Sequence, residues 1–219
     1  MTDTIRDDTA VQAEGRNVRV AAVAGGGYRV TVCAGTACTF AGSPAVHEAF
    51  VQEVQAAGLG DQVEVSIIGC HGLCSMSPVV VLSDDTLYGQ LRSEDVSKVV
   101  EQHLRDGVPV ERFLYKDPHT GARVRDWHDI DFYRQQTRIA MRNVGIVNPE
   151  SIDESVARGE YAAARMVLTE KTPEWVVAHV TDAAIRGRGG AGFSTGVKWK
   201  FAQQSRSDVK YIICNGDEG

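Results

Sequence analysis

The sequence predicts an α/β protein built in two parts, and three observations carry that reading. Strand-like and helix-like segments alternate over residues 28–107 in the order β-α-β-β-β-α. An irregular stretch rich in Pro, Gly, Asp and Arg follows, from Val108 to about Asp131. Beyond it, apolar residues recur at helical spacing until a glycine-rich run, GRGGAG at 187–192, interrupts them. The expected organisation is a disordered arm over 1–16, a first domain over 17–107, a linker over 108–131 and a second domain over 132–219.

The N-terminal MTDTIRDDTAVQAEGRN is polar and acid-rich, unlike a signal or transit peptide. NVRVAAVA (17–24) and YRVTVC (28–33) read as strands separated by Gly25-Gly26-Gly27. Ser43 is expected to cap a helix whose first turn holds Pro44. Val46, Ala49, Phe50, Val54 and Ala57 give that helix an apolar face, and Gly58 and Gly60 end it. VEVSIIGC (63–70) is a strand that delivers Cys70 at its tip. PVVVLSDDTLYGQL (78–91) is a hairpin turning at Asp84-Asp85. Ser93 is expected to cap SEDVSKVVEQHLRDG, with Glu94 and Asp95 suited to the first turn of a helix.

In the second part, FYRQQTRIAMRNVG is expected to be helical, Ser151 and Asp153 open a short helix, and EYAAARMVLTE keeps helical character. Thr172-Pro173 caps PEWVVAHVTDAAIR, in which Trp175, Val176, Val180 and Ala183 or Ala184 share one side. FSTGVKWKFAQQ reads as another helix and VKYIIC (209–214) as a strand.

Composition excludes several classes of function. With 43% hydrophobic and 24% charged residues in 219, this is an ordinary globular composition. A formal charge of −6 argues against nucleic acid or an anionic membrane as the main partner. No apolar run approaches the ~20 residues a spanning helix needs, so no direct membrane insertion is expected. The cytoplasm, where thiols stay reduced, is the expected location. No Ser/His/Asp or Cys/His nucleophilic set and no poised carboxylate pair is evident, so no catalytic side chain is assigned. His47, His103, His119, His128 and His179 show no paired spacing, and Trp127 and Trp199 read as packing residues.

Four of the five cysteines fall in two close pairs, Cys33/Cys38 (C-x4-C) and Cys70/Cys74 (C-x3-C), while Cys214 reads as a buried apolar residue. Each pair begins where a strand ends, so both loops should meet at one end of the sheet. Four thiolates are what a [2Fe–2S] cluster requires, two for each iron. Four-cysteine zinc sites favour tighter C-x2-C knuckles, and zinc, disulfides and unrelated buried cysteines are the alternatives. His71, between two of these cysteines, is expected in a loop or supporting role.

GRGGAG matches the G-x-G-x-x-G dinucleotide pattern, but the segment before it is helical, whereas that fingerprint requires a preceding strand. A classical Rossmann fold is therefore not expected. The loop can still cradle an anion on successive backbone N–H groups, helped by the following helix and by Arg188 and Lys198. An interhelical turn selected only for positive φ is the plainer alternative.

Taken together, these motifs carry a resemblance. The order β-α-β-β-β-α with CAGTACTFAGS and GCHGLCSMSPVVV resembles the thioredoxin-like [2Fe–2S] domain of NADH-oxidising flavoprotein complexes. GRGGAGFSTGVKW followed by CNGDEG resembles the flavin and NADH site of their flavoprotein subunit, shared with respiratory complex I. Both on one chain resemble the diaphorase subunit of NAD(P)-linked iron-only hydrogenases and related NAD-dependent formate dehydrogenases.

That resemblance implies a thioredoxin-like ferredoxin domain followed by a truncated α/β flavoprotein domain. Cys33, Cys38, Cys70 and Cys74 would hold the cluster. Gly187, Arg188, Gly189, Gly190, Gly192 and Lys198 would cradle the FMN phosphate and the dinucleotide edge. Phe193 and Phe201 would stack on NADH rings, and Asn215, Asp217 and Glu218 would hydrogen-bond flavin or nucleotide. The implied cofactors are [2Fe–2S], FMN and NAD(H) or NADP(H), with a [4Fe–4S] centre expected only on a missing C-terminal part.

The implied partners are a small [2Fe–2S] subunit and a hydrogenase or formate dehydrogenase catalytic subunit, and this fragment alone is expected to be inactive. Ser194 and Gly216 stand where the family usually has Pro and Ala. A stand-alone [2Fe–2S] carrier or docking module without flavin is the rival reading.

Overall fold

The computed structural model describes residues 27–139, 141–209, 211 and 213. They divide into two compact units, 1–155 and 156–219. The arm and the strand expected over 17–24 lie outside the described residues, as do Lys210, Ile212 and Cys214 of the strand expected over 209–214.

In the first unit, β1 (Tyr28–Cys33) and β2 (Val63–Ile68) pair in parallel, with Cys33 opposite Ile68. A parallel pair needs a crossover, supplied by α1 (Thr36–Phe40), which was not expected, and α2 (Ser43–Ala56). β3 (Val79–Leu82) and β4 (Leu87–Gly89) complete a sheet in the order β2-β1-β3-β4, each antiparallel to its preceding neighbour. The β3–β4 turn falls at Asp84-Asp85 as expected, with Asp85 at φ 66 and Asp84 Oδ1 accepting from Thr86 N–H at 3.1 Å.

Two helix starts differ from expectation. Gly42, not Ser43, caps α2, and Ser43 is its first, buried residue. The chain turns from α1 into α2 through Gly42 at φ 96, a conformation open to glycine without a Cβ penalty. Arg92, not Ser93, precedes the last helix of the module, and its N–H donates to Asp95 Oδ2 at 3.1 Å. That helix passes through a 3₁₀ turn (Ser93–Asp95), α3 (Val96–Val99) and a π turn (Val100–Arg105).

Both faces of the sheet are buried. Val30, Val32, Val80, Leu82 and Tyr88 pack with Phe50 and Val54 of α2 and with Val96 and Val99 of α3. Each fully buried apolar side chain of this kind contributes roughly 1.5–3 kcal/mol. The opposite face, with Cys33, Val79, Val81 and Leu87, packs against Trp127, Ile130 and Tyr133. Those three side chains, with Val110, Phe113 and Leu114, come from the segment expected to be a linker and from its boundary.

Residues 108–131 therefore complete the sheet packing instead of joining domains. Their short hairpin, β5 (Tyr115–Lys116) and β6 (Arg123–Val124), lies beside bridges from Tyr88 to Leu114 and from Thr86 to Asp126. The helix expected over 132–145 shrinks to α4 (Asp131–Arg134). After it the backbone folds back, with Arg138 Nη1 donating to the Val144 carbonyl at 3.3 Å and Gly145 at φ 81. Ser151 opens α5 (Ile152–Ala157), its Oγ accepting from Glu154 N–H at 3.3 Å.

In the second unit, α6 (Ala162–Glu170), α7 (Pro173–Asp182) and α8 (Thr195–Gln204) form where helical character was read. Thr172 caps α7 by accepting from Trp175 N–H at 3.2 Å. Trp199 is exposed, so it does not pack as expected, whereas Trp127 in the first unit does. Among the described residues no helix is long and apolar enough to cross a membrane.

One polar chain fastens the later segment to the module. Val110 N–H donates to the Tyr88 hydroxyl at 2.8 Å, Tyr88 reaches His103 Nδ1 at 2.8 Å, and His103 Nε2 reaches Asp84 Oδ2 at 3.0 Å. Arg125 also donates to Asp84 Oδ2, at 2.6 Å. Burial alone would raise the Asp84 pKa, but donation from His103, Arg125 and Thr86 outweighs it and holds the carboxyl below the usual range. A carboxyl depressed in the folded state stabilises above its unfolded pKa of about 3.9 and loses that contribution as pH falls. Asp84→Asn is thus expected to cost roughly 1–3 kcal/mol at pH 7. In denaturant titrations the gap between the variant and the wild type should narrow below about pH 4; a gap independent of pH would contradict this role.

Candidate functional site

The four paired cysteines meet at one end of the sheet. Cys33 ends β1, Cys38 sits on α1, Cys70 lies two residues past the end of β2, and Cys74 opens a 3₁₀ turn. Cys70 therefore lies on a loop and not at the strand tip. Because β1 and β2 are parallel and in register, their C-terminal loops emerge side by side. All four cysteines line one small pocket, with Gly35, Ala37, Gly72, Leu73 and Val79.

Cys33 and Cys38 are buried, whereas Cys70 and Cys74 are exposed. A Cβ on Gly35 would fall 3.0 Å from both Cβ and Sγ of Cys70, so a side chain there would crowd the pocket. The thiols act on one another in pairs. Hydrogen bonding to Cys38 and burial push Cys33 up. Cys38 is lowered to about 6, first by the Cys33 hydrogen bond and then by the Ser77 hydroxyl and the Val79 N–H, against the effect of burial. The Ser77 Oγ is 3.2 Å from Cys38 Sγ.

The pairing bears on which metal would fit. A tetrahedral zinc with Zn–S bonds of ~2.3 Å draws its sulfurs to roughly 3.8 Å of one another. Among the described residues the ligand atoms of Asp85, Asp126 and His128 gather within 4.8 Å. Two thiol pairs facing one pocket fit a two-iron centre better than a single ion. The Asp126–His128 part of that other group is engaged in its own turn, where Asp126 Oδ1 accepts from His128 N–H at 2.8 Å.

His71 is not a free ligand. It is buried, and its Nδ1 lies 2.5 Å from the Tyr133 hydroxyl. Its backbone N–H donates to Cys33 Sγ at 3.4 Å, and the Tyr133 hydroxyl donates to its carbonyl at 3.2 Å. Burial, with the charge of Arg138 nearby, lowers the imidazole pKa to about 3. His71 lies in a loop, one of the two placements expected for it. Tyr133 and Gly145 were missed, because FYRQQTRIAMRNVG reads as one helix.

In the second unit GRGGAG is a closed loop between α7 and α8. Arg186 and Ser194 form an antiparallel bridge. Gly187 N–H donates to the Phe193 carbonyl at 2.8 Å, and Thr195 N–H to the Ile185 carbonyl at 3.0 Å. The tip is open: nothing lies within 4 Å of a Cβ placed on Gly189, Gly190 or Gly192, and the last two have φ 104 and 58. Arg188 Nη1 donates to the Arg186 carbonyl at 2.9 Å. Ser194 caps α8, accepting from Val197 N–H at 3.4 Å. Phe193, Lys198 and Phe201 are exposed on the loop and on α8. Asn215, Asp217 and Glu218 lie outside the described residues.

A parallel-edged sheet carrying two cysteine pairs at one end is the arrangement of a thioredoxin-like iron–sulfur module. Residues 21–104 match the family thioredoxin-like [2Fe-2S] ferredoxin, and residues 180–219 match the Nuo51 FMN-binding domain. Two separate segments of the chain thus match two families.

The NADP-reducing hydrogenase subunit HndC of Solidesulfovibrio fructosivorans is 50% identical over 86 residues, which are 39% of this chain and 17% of that protein. The NAD-reducing hydrogenase HoxS subunit alpha of Cupriavidus necator is 27% identical over 209 residues, 89% of this chain and 31% of that protein. The chain spans between about a sixth and a third of the length of these relatives. A solved thioredoxin-like [2Fe-2S] ferredoxin from Aquifex aeolicus is 36% identical with a TM-score of 0.38, covering 40% of this chain and 88% of that one.

The loop depends on how closely α7 and α8 approach. A Cβ on Gly196 would lie 2.2 Å from Thr181 Oγ1 and 2.5 Å from Thr181 Cα, so no rotamer change relieves it. Gly196→Ala is expected to cost about 1–3 kcal/mol through overpacking and to speed proteolysis in the 183–194 loop. Proteolytic rates equal to those of the wild type would contradict that packing.

Proposed function

We propose that this chain is an electron-transfer part of an NAD(P)H-linked oxidoreductase, working in the cytoplasm with partner redox subunits. The observation that carries it is the convergence of Cys33, Cys38, Cys70 and Cys74 on one pocket, in a chain that also bears GRGGAG. When bound, FMN takes two electrons from a nicotinamide and the [2Fe–2S] cluster carries them one at a time.

The side chains divide the work. Cys33 and Cys38 would hold one iron from the buried side, and Cys70 and Cys74 the other from the solvent side. That asymmetry suits electron exchange, because the exposed pair stands at the edge a partner can approach. The open tip of GRGGAG offers backbone N–H groups to a phosphate, and Arg188 and Lys198 add positive charge. Gly187, Gly189, Gly190 and Gly192 let the backbone approach closely. Phe193 and Phe201 are exposed and so can present ring faces to a planar ligand. Asn215, Asp217 and Glu218 would complete the site by hydrogen bonding.

The names of the two hydrogenase relatives support NAD(H) or NADP(H) as the nucleotide and a hydrogenase-type complex as the assembly. A small [2Fe–2S] subunit and a hydrogenase or formate dehydrogenase catalytic subunit are the partners proposed.

Paired variants test the division. Cys70→Ser is expected to remove most iron and sulfide from the purified protein while flavin stays at the wild-type level. Arg188→Ala is expected to lower flavin content several-fold while iron is unchanged. Loss of both cofactors in either variant would contradict two separable sites, and unchanged flavin in Arg188→Ala would remove the phosphate cradle.

A further inference from the structure

The match to the ferredoxin family ends at residue 104, yet the loop bearing Cys70 and Cys74 is held by side chains beyond that point. Tyr133 is central to this. Its hydroxyl oxygen lies 2.5 Å from His71 Nδ1 and 3.2 Å from the His71 carbonyl oxygen. A single oxygen thus binds the side chain and the main chain of His71 together.

The rest of the segment closes around this pair. The rings of Trp127 and Tyr133 meet the imidazole edge-on, at 5.1 and 5.0 Å between centroids. A Cβ on Gly145 would lie 3.0 Å from His71 Cδ2 and 3.3 Å from its Cα, so glycine lets this segment lie directly on His71. Phe132 lies 3.7 Å from where a Cβ on Gly72 would be. These contacts hold His71 by its side chain, its Cα and its carbonyl, and the N–H of the same residue, in the preceding peptide, points at Cys33 Sγ, 3.4 Å away, across from one cysteine loop to the other.

We infer that Tyr133 is a positioning residue for the iron–sulfur centre: by fixing His71 it keeps the His71 N–H on the Cys33 sulfur and raises the reduction potential. The inference rests on the two-iron reading above. Reduction places additional negative charge on the cluster and its thiolates, so a donor held on a sulfur stabilises the reduced form more than the oxidised form. A donor free to swing away would do so less.

Tyr133→Phe keeps the ring and its edge contacts and removes only the oxygen. Expected are wild-type iron and sulfide contents, with the reduced-to-oxidised ratio at a given potential falling about threefold. For a one-electron couple that places the midpoint about 28 mV more negative. In the reduced wild-type protein with ¹⁵N-labelled histidine, pulsed EPR should show coupling to an exchangeable proton and to a histidine nitrogen, both weaker in Tyr133→Phe.

If Tyr133→Phe does not take up iron, His71→Phe cuts the imidazole half of the lock and leaves its N–H in place. A more negative midpoint there supports the inference and an unchanged one overturns it. A fully loaded Tyr133→Phe with wild-type midpoint and couplings overturns the inference alone. A wild-type chain without iron and sulfide overturns both it and the two-iron reading.

Discussion

The parallel pairing of β1 with β2 is the constraint on which the rest depends. Pairing Cys33 with Ile68 sends two loops out of the sheet at the same end. Antiparallel strands would place the same loops at opposite ends, and four cysteines in two distant pairs could share nothing. The pairing requires a crossover, and α1 and α2 provide it. The crossover also carries Cys38 back over the sheet end, where it meets Cys33 in the buried half of the pocket. Topology and ligand geometry are here one fact.

A second consequence follows from β3. Val79, Val80, Val81 and Leu82 are all buried, so this strand needs a partner on each face. Helices α2 and α3 cover one face, and the segment carrying Trp127, Ile130 and Tyr133 covers the other. The second cover reaches the cysteine loop, because Cys33 lies on the face it buries. Packing that stabilises the sheet and packing that shapes the candidate centre are therefore shared. The Asp84–His103–Tyr88 chain fastens the same segment from the other side of the β3–β4 turn.

Much of this was legible in residues. The spacing of Val46, Phe50 and Val54 placed α2, the Asp84-Asp85 pair placed the turn, and Cys33 marked a strand end. The helix before GRGGAG ruled out the dinucleotide fold, and α7 and α8 flank that loop as read. The missed features depend on tertiary context. The continuous run Val79–Leu82 already signals a strand buried on both faces, and a linker following it would have left one face open. Periodicity alone made 132–145 a helix, but anchoring of Tyr133 on His71 and the positive φ of Gly145 divert the chain. Gly42 took the cap from Ser43 because the α1–α2 corner requires a backbone conformation that serine rarely adopts. Contacts such as Tyr133 to His71 join residues 62 positions apart, which no local pattern encodes.

The most direct measurement is metal, sulfide and flavin content, with a low-temperature EPR spectrum, on protein purified anaerobically and reduced with dithionite. About two irons and two sulfides per chain, with the signal of a reduced [2Fe–2S] centre, is the expected result. One zinc per chain with no sulfide, in a preparation never exposed to oxygen, would contradict a redox centre at Cys33, Cys38, Cys70 and Cys74.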